Sequence, residues 1–456
     1  MQPISLIAAE ALLPEGWRRD VRFEIGADGL LIAVTPGAEE NGAERLSGPV
    51  LPGMGNLHSH AFQRGMAGLA EYSGPDGDNF WSWRQLMYRF LERLTPDDIE
   101  IIATQLYIEM LKAGYTAVGE FHYLHNAPDG RPYDDPAATA ERILAAADKT
   151  GIGLTLLPVL YAHGNFGGAP PVPGQRRFLF DIDGFNALVD TVMDRHPETP
   201  MLRFGIAPHS LRAVTPAQLE SAVAHIKHCK PNAPIHIHVA EQEREVADCV
   251  AWSGARPIEW LLDHADIDER WCFIHSTHQT ETETQRLAKS GAVAGLCPST
   301  EANLGDGIFP AASYFAARGH WGIGTDSHIA LDPFEELRLL EYSQRLTMRQ
   351  RNILADRVGI STGASLYRGA LAGTAQALAQ PIGQLAPGYR ADLVVLADDG
   401  TRHGDALLDA AIFGPNRQIV RDVMVGGVWR VKDRHHKAEE DAATRYRAVL
   451  NRLLAA

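Results

Sequence analysis

Apolar and polar positions along the chain fall into three textures. Val21 to Ile25 and Leu30 to Val34 are short β-like runs separated by Gly-Ala-Asp-Gly, a hairpin signal. From Val50 onward, short apolar runs alternate with stretches of helical period. Arg390 to Ala397 and Val423 to Val431 then return to strand texture, with a break at Gly400 and a Gly-Gly turn inside the second run. Two β-rich ends around a long middle predict one small sheet module assembled from both termini.

The middle carries eight candidate strands: Val50–Asn56, Thr116–Phe121, Leu154–Leu160, Leu202–Ala207, Ile235–Val239, Trp271–Ile274, Ala292–Leu296 and Trp321–Gly324. Helices fit between them, as at Pro96–Ala113, Ala137–Lys149, Pro216–His228 and Pro257–His264. Such alternation predicts a parallel sheet, and eight βα units over roughly 300 residues predict a (β/α)8 TIM barrel. In that architecture the site lies at the C-terminal ends of the strands. The 456 residues suit a large barrel with a smaller module beside it.

Composition adds exclusions. Apolar residues make up 45% and charged residues 22%, an ordinary globular balance. No apolar run is long enough to cross a bilayer, and Met1 to Glu15 lack the pattern of a secretory signal. Cys229, Cys249, Cys272 and Cys297 lie far apart with no CxxC pair, which points to reduced thiols in a cytoplasm. The net charge of −15 argues against nucleic acid and anionic membrane as partners. An anionic substrate would need local arginines to overcome that field.

Polar residues gather where the barrel hypothesis puts the site. Strand ends carry His58-Ser-His60, Glu120-Phe-His-Tyr123, His209-Ser210, His236-Ile-His238 followed by Glu241, His275-Ser-Thr-His278, Ser299-Thr-Glu301 and Asp326-Ser-His328. Side chains two apart on a strand point the same way, so His58 and His60 could bind one ion. His238 and Asp326 would complete a mixed nitrogen and oxygen shell with a position open for water. Asp326 equally suits a turn or a helix N-cap. His236 reads as a packed barrel residue one layer deeper. Glu241, three residues past His238, could exchange protons with water at the site; in the run Glu241-Gln-Glu it also reads as an exposed helix start. His275 could polarise a substrate or be a hydrogen-bonded strand-end residue, and Arg84 in Trp-Ser-Trp-Arg a surface residue stacked on tryptophan.

The ordered set Pro52-Gly-Met-Gly-Asn-Leu-His-Ser-His60, His238-Val-Ala-Glu241, His275-Ser-Thr-His278, Gly324-Thr-Asp-Ser327 and Gly388-Tyr-Arg-Ala-Asp-Leu-Val-Val-Leu396 resembles the amidohydrolase superfamily over nearly the whole chain. The resemblance implies a barrel (50–380), a β-sandwich from both ends (1–49 and 381–435) and a C-terminal helix (436–456). It implies one divalent metal ion, Zn2+ before Fe2+ or Mn2+, held by His58, His60, His238 and Asp326. Binuclear members carry a carboxylated lysine at strand four. Here that strand reads Leu-Arg-Phe-Gly-Ile-Ala-Pro-His209, so the mononuclear deaminases are the better match, with Glu241, His275 and Asp326 as catalytic groups.

Within that branch, His60-Ala-Phe-Gln-Arg64, Phe80-Trp-Ser-Trp-Arg84, Glu120-Phe-His-Tyr123, His209-Ser-Leu-Arg212 and Ser299-Thr-Glu-Ala-Asn-Leu-Gly-Asp-Gly307 are similar to the formimidoylglutamate deiminases of histidine breakdown. The resemblance implies deimination of N-formimidoyl-L-glutamate, a small anionic substrate, by a homodimer. It places Gln63, Arg84, Tyr123, His209 and Arg212 on the substrate, with Ser327 near the site. Two arginines suit a dicarboxylate. A rival aminohydrolase of guanine, another heterocycle or a chlorinated triazine would need no such pair. A non-catalytic barrel would predict losses among the ligands or Glu241, and none is seen.

Overall fold

Strands from the two chain ends share one sheet in the computed structural model, which describes residues 4–73, 78–397, 400–415 and 418–455. Residues 1–3 of the expected N-terminal segment and 456 of the expected C-terminal helix lie outside the described residues. Strands β1 (Ile4–Leu13), β2 (Gly16–Ile25), β3 (Leu31–Thr35), β4 (Glu44–Arg45) and β5 (Val50–Pro52) open the chain. Then come β6 (Met54–Ser59), β7 (Tyr115–His122), β8 (Gly153–Leu160), β9 (Leu202–Phe204), β10 (Ala207–Pro208), β11 (Ile235–Val239), β12 (Trp271–His275), β13 (Val293–Leu296) and β14 (His320–Ile323). Strands β15 (Leu393–Leu396), β16 (Val420–Val425), β17 (Val428–Lys432) and β18 (His435–His436) close it, before the helix Glu439–Leu454.

The terminal sheet runs β18-β17-β16-β15-β5-β1-β2-β3, with β4 beside β1. Its halves meet where Leu51 pairs with Val394. Leu6, Phe23, Leu393 and Met424 belong to a core of its own. Arg390 and Asp392, both buried, form an ion pair at 2.7 Å, and Arg390 also donates to the carbonyl of Thr116 at the foot of β7. That pair ties the sheet to the barrel; removing one partner of such a buried pair costs about 3–5 kcal/mol.

The barrel consists of two parallel groups, β10-β8-β7-β6 (with β9 also beside β8) and β11-β12-β13-β14. Single parallel bridges join them at both seams, Ile206 to Ile235 and Ser59 to Asp326. Because β9 and β10 both pair with β8, they share one position, and eight positions circle the barrel. Helices start where proline and a capping residue coincide. Thr95 accepts the Asp98 N–H while Asp98 reaches back, with Pro96 next in line, and Thr215 and Gln218 repeat the arrangement before Pro216. Each such cap contributes about 1 kcal/mol.

Two expected strands divide. Val50–Asn56 breaks at Gly53, where a Cβ would lie 2.3 Å from Thr116 Cγ2. The close approach lets the chain leave the terminal sheet as β5 and enter the barrel as β6. Leu202–Ala207 divides into β9 and β10, and β1 is longer than the short strands expected at the N-terminus. At the closing seam a Cβ on Gly324 would meet His58 Cβ at 2.8 Å. Glycine therefore lets the end of β14 lie against β6, which brings Asp326 beside His58. Among the described residues, no helix is long and apolar enough to cross a membrane.

Candidate active site

Alternation along β6 and β7 sorts the polar residues between two layers. His58 and His60 point into the barrel, while Ser59 between them points outward and donates to Glu120 at 2.6 Å. Glu120 also accepts from Tyr107 at 3.1 Å and from the backbone N–H of Ala61 at 2.7 Å. Phe121 on β7 and Tyr123 just past its end turn inward, with their rings against His60. His122 turns to Thr139 on the adjacent helix. The rim sequence Glu120-Phe-His-Tyr123 thus divides, and only Tyr123 among its polar members faces the site.

His58, His60, His238 and Asp326 converge. Asp326 Oδ1 lies 3.3 Å from Nε2 of both His58 and His60, and His58 Nε2 lies 3.1 Å from His238 Nε2. His275 Nε2 stands 3.9 Å from Asp326 Oδ2. His60 engages the Phe121 carbonyl through Nδ1 at 2.9 Å, and His238 engages the His209 carbonyl through Nδ1 at 3.2 Å. That outer contact turns the Nε2 lone pairs inward, the usual support of a metal-ligating imidazole. Burial holds His58 down to about 3 and His238 well below its usual range, so both rings are neutral donors. Burial works against charge on Asp326, but His58 and its neighbours hold the carboxyl below its usual range. Three neutral imidazoles and a carboxylate fit a divalent cation.

The backbone is strained at these strand ends. Ala240, His275, Ser276, Asp326 and His328 have positive φ, at 52°, 68°, 51°, 43° and 62°. Non-glycine residues held in this region cost of order 1–3 kcal/mol each and cluster at functional sites. His278 and His328 are committed elsewhere, His278 to the Asp306 carbonyl and His328 to Thr325 and Ser59. His236 bonds the carbonyl of Ala377 and packs below the site.

Glu241 follows β11 and is buried, with Oε1 3.8 Å from His275 Nε2. Burial pushes its carboxyl up against the pull of His275 and Arg212. Glu245, one turn into the next helix, accepts the N–H groups of Ala240 and Glu241 and stands 3.9 Å from Arg212 Nε. Arg212 also lies 4.0 Å from Glu241.

A cavity opens above this cluster. His60, His238, Glu241, His275 and Asp326 form its floor, and Gln63, Tyr123, His209, Arg84 and Arg212 its walls. Gln63 donates to the Tyr123 hydroxyl at 2.9 Å and so reaches the cavity in company with it. Arg84 packs its guanidinium over Trp81, 4.5 Å from the ring centre, and its Nε has no hydrogen-bond partner. Arg212 is buried, and its Nε, though 3.9 Å from Glu245, has no hydrogen-bond partner among the described residues. Of the expected substrate contacts, Ser327 is not brought to the cavity; it bonds Thr300 at 2.9 Å. Tyr88, Tyr161 and Phe178 line the cavity without a signal in the sequence, since they come from a helix face, a strand end and a loop. Glu301 faces His275, and Glu245 accepts the N–H of Glu241; in the sequence Glu301 belongs to a strand-end motif and Glu245 to a charged run.

Residues 50–430 match the model of the amidohydrolase family, and residues 5–48 match that of the formimidoylglutamate deiminase HutF N-terminal domain. A curated formimidoylglutamate deiminase from Pseudomonas aeruginosa is 55% identical over 455 residues, covering 99% of each chain. An 8-oxoguanine deaminase from the same organism is 28% identical, covering 89% of this chain and 88% of its own. A crystal structure of an amidohydrolase from Brucella melitensis superposes with a TM-score of 0.93 at 48% identity, covering 99% of this chain and all of its own. An adenosine deaminase from Xanthomonas campestris with bound zinc shares the fold at a TM-score of 0.82 and 22% identity, with 99% of each chain covered. The chain belongs to the amidohydrolase family, and within it to the formimidoylglutamate deiminases.

Proposed function

We propose that the protein hydrolyses N-formimidoyl-L-glutamate to N-formyl-L-glutamate and ammonia, the deimination step of histidine degradation. One observation carries the reading: a cavity with Arg84 and Arg212 on its wall has Glu241 and His275 beside His60, His238 and Asp326 on its floor, and His58 meets the last three from beneath. The substrate has a C=N group on its α-nitrogen and two carboxylates, one on the α-carbon and one at the end of the side chain. Arg84 and Arg212 neutralise the carboxylates, and Tyr123, Gln63 and His209 complete the polar wall. Ser327 acts behind this set, by holding the Asp326 loop against Thr300.

His58, His60, His238 and Asp326 would hold one divalent ion, with Zn2+ suited to this donor set. Such an ion supplies Lewis acidity and a water of lowered pKa. Glu241 takes a proton from the attacking water and delivers it to the imine nitrogen, then carries the proton of the added hydroxyl to the resulting amine, so that the C–N bond breaks, ammonia leaves and the formyl C=O forms. Its raised affinity for protons suits both halves of that transfer at neutral pH. His275 and Asp326 orient the water by hydrogen bonds. The sheet from both ends is read as the small β-sandwich of the family. Unpaired thiols at all four cysteines support a cytoplasmic setting, and the family resemblance supports a homodimer.

The test is ammonia release from formimidoylglutamate, formimidoylaspartate and guanine measured side by side. Turnover of formimidoylglutamate above the other two is the expected result. A preference for guanine would replace this reading with that of a heterocycle aminohydrolase.

A further inference from the structure

Helices Ile182–Arg195 and Pro216–Cys229 lie side by side outside the barrel sheet. His225 and Cys229 are one turn apart on the second helix and share a face; Asp190 faces them from the first. His225 Nε2 lies 2.8 Å from Asp190 Oδ1, and Cys229 Sγ lies 3.9 Å from each of those two atoms. Bonds of ~2.0–2.3 Å to a tetrahedral ion set such donors ~3.4–3.6 Å apart, so displacements of about half an ångström would seat one.

The carboxylate and the thiol approach the same ring nitrogen. A nucleophile relay needs them on opposite nitrogens of the imidazole, so this arrangement cannot activate the thiol through the ring. Burial, then Asp190 and Asp194, push the Cys229 thiol up, which makes it a poor nucleophile on its own. A divalent cation reverses that field and lets the thiol release its proton. Cys229 is also exposed, whereas Cys249, Cys272 and Cys297 are buried. Solvent can therefore reach the point on which the three donors converge and fill a fourth position.

We propose that Asp190, His225 and Cys229 form a second, peripheral site for a borderline divalent cation such as Zn2+ or Co2+, one that clamps two outer helices together. It stands apart from the cradle at the barrel mouth and does not depend on the deiminase reading. The mixed sulfur, nitrogen and oxygen set selects such cations over Mg2+ or Ca2+.

The experiment is a Co2+ titration of the metal-loaded protein, followed by near-ultraviolet absorption and by bound-metal analysis. A second equivalent should bind with a thiolate-to-cobalt charge-transfer band. Cys229→Ser should lose the band and that equivalent while keeping deiminase turnover, and His225→Ala should weaken binding at least ~10-fold. Zn2+ should slow reaction of the exposed thiol with a disulfide reagent in the parent protein. The proposal is overturned if Cys229→Ser keeps the band, if no second equivalent binds by ~100 µM Co2+, or if His225→Ala binds as tightly as the parent.

Discussion

Glu301 Oε1 stands 3.5 Å from Nδ1 of His275, and the same oxygen accepts the backbone N–H of Cys297 at 3.0 Å. The carboxylate is thus fixed by its own helix before it meets the imidazole, and it faces the nitrogen opposite the one turned to Glu241. Burial disfavours charge on His275, but Glu241, Glu301 and Asp326 together raise it to about 10. Glu301→Gln keeps the shape and removes the charge. Turnover should fall by roughly 10–100-fold, the usual effect of losing an outer partner, with metal content retained. Unchanged kcat would show that His275 needs no such orientation.

Glu241→Gln should cost more. The amide cannot shuttle a proton, so kcat should drop by about 10²–10⁴-fold while metal analysis stays at parent level. Glu245 still holds the backbone of Ala240 and Glu241 in that variant, which keeps the geometry comparable.

The two arginines should differ in a way their surroundings dictate. Arg84 packs on rings with no ion pair among the described residues, so Arg84→Met should raise KM for formimidoylglutamate and leave thermal stability near that of the parent. Arg212 also faces Glu241 and Glu245, so Arg212→Met strips a countercharge from two buried carboxylates. It should lose about 2–5 kcal/mol in kcat/KM and lower Tm as well. Normal turnover of formimidoylglutamate by both variants would sink the carboxylate-clamp reading.

Chelation should separate fold from function. Removing the ion leaves the carboxylate of Asp326 and the neutral imidazoles of His58 and His238 without their shared partner on a strained backbone, so activity should vanish and Tm should fall, by the linkage of ligand binding to the native state. Added Zn2+ should restore both, and His238→Ala should restore neither.

Glu336 offers a pH test away from the cradle. It is fully buried, accepts the N–H of Ser299 at 2.9 Å, and is raised to about 8 by burial, with Glu301 and Glu335 adding to the effect. Between its ordinary value of 4.5 and about 8, the native state holds a proton that the unfolded chain has released. This group therefore favours folding at low pH and loses that contribution as pH rises through the window. Glu336→Gln should flatten the decline, so that urea midpoints of variant and parent diverge toward pH 9 and approach each other near pH 4.5. Parallel curves across the window would contradict it.

The side chains that converge at the candidate site are legible in the sequence because strand ends and period-two alternation leave few positions that can face inward. His58, His60, His238, Asp326 and Glu241 followed from that rule joined to a family motif. Helices beginning at Pro96 and Pro216 are equally legible, since proline and a cap residue mark a start locally. Glu245 was not, because a carboxylate in a charged run looks solvated until tertiary packing buries it. Tyr161 and Phe178 reach the cavity through long-range packing that no local period encodes. The division at Gly53 depends on Thr116, far along the chain, and so escaped as well.

The pairing of β5 with β15 also has a cost in time. Leu51 leaves the ribosome about 340 residues ahead of its neighbour Val394, which at ~5–20 residues per second is a wait of roughly 20–70 s. Throughout that interval the β1–β5 segment emerges first and finishes last, with one flank of β5 unpartnered while the barrel is being made. Nascent chains on one message would carry the same open edge in sequence, each able to accept a strand from its neighbour. Chains that stop before residue 393 would keep it permanently, which makes the far end of the protein the guard of its beginning.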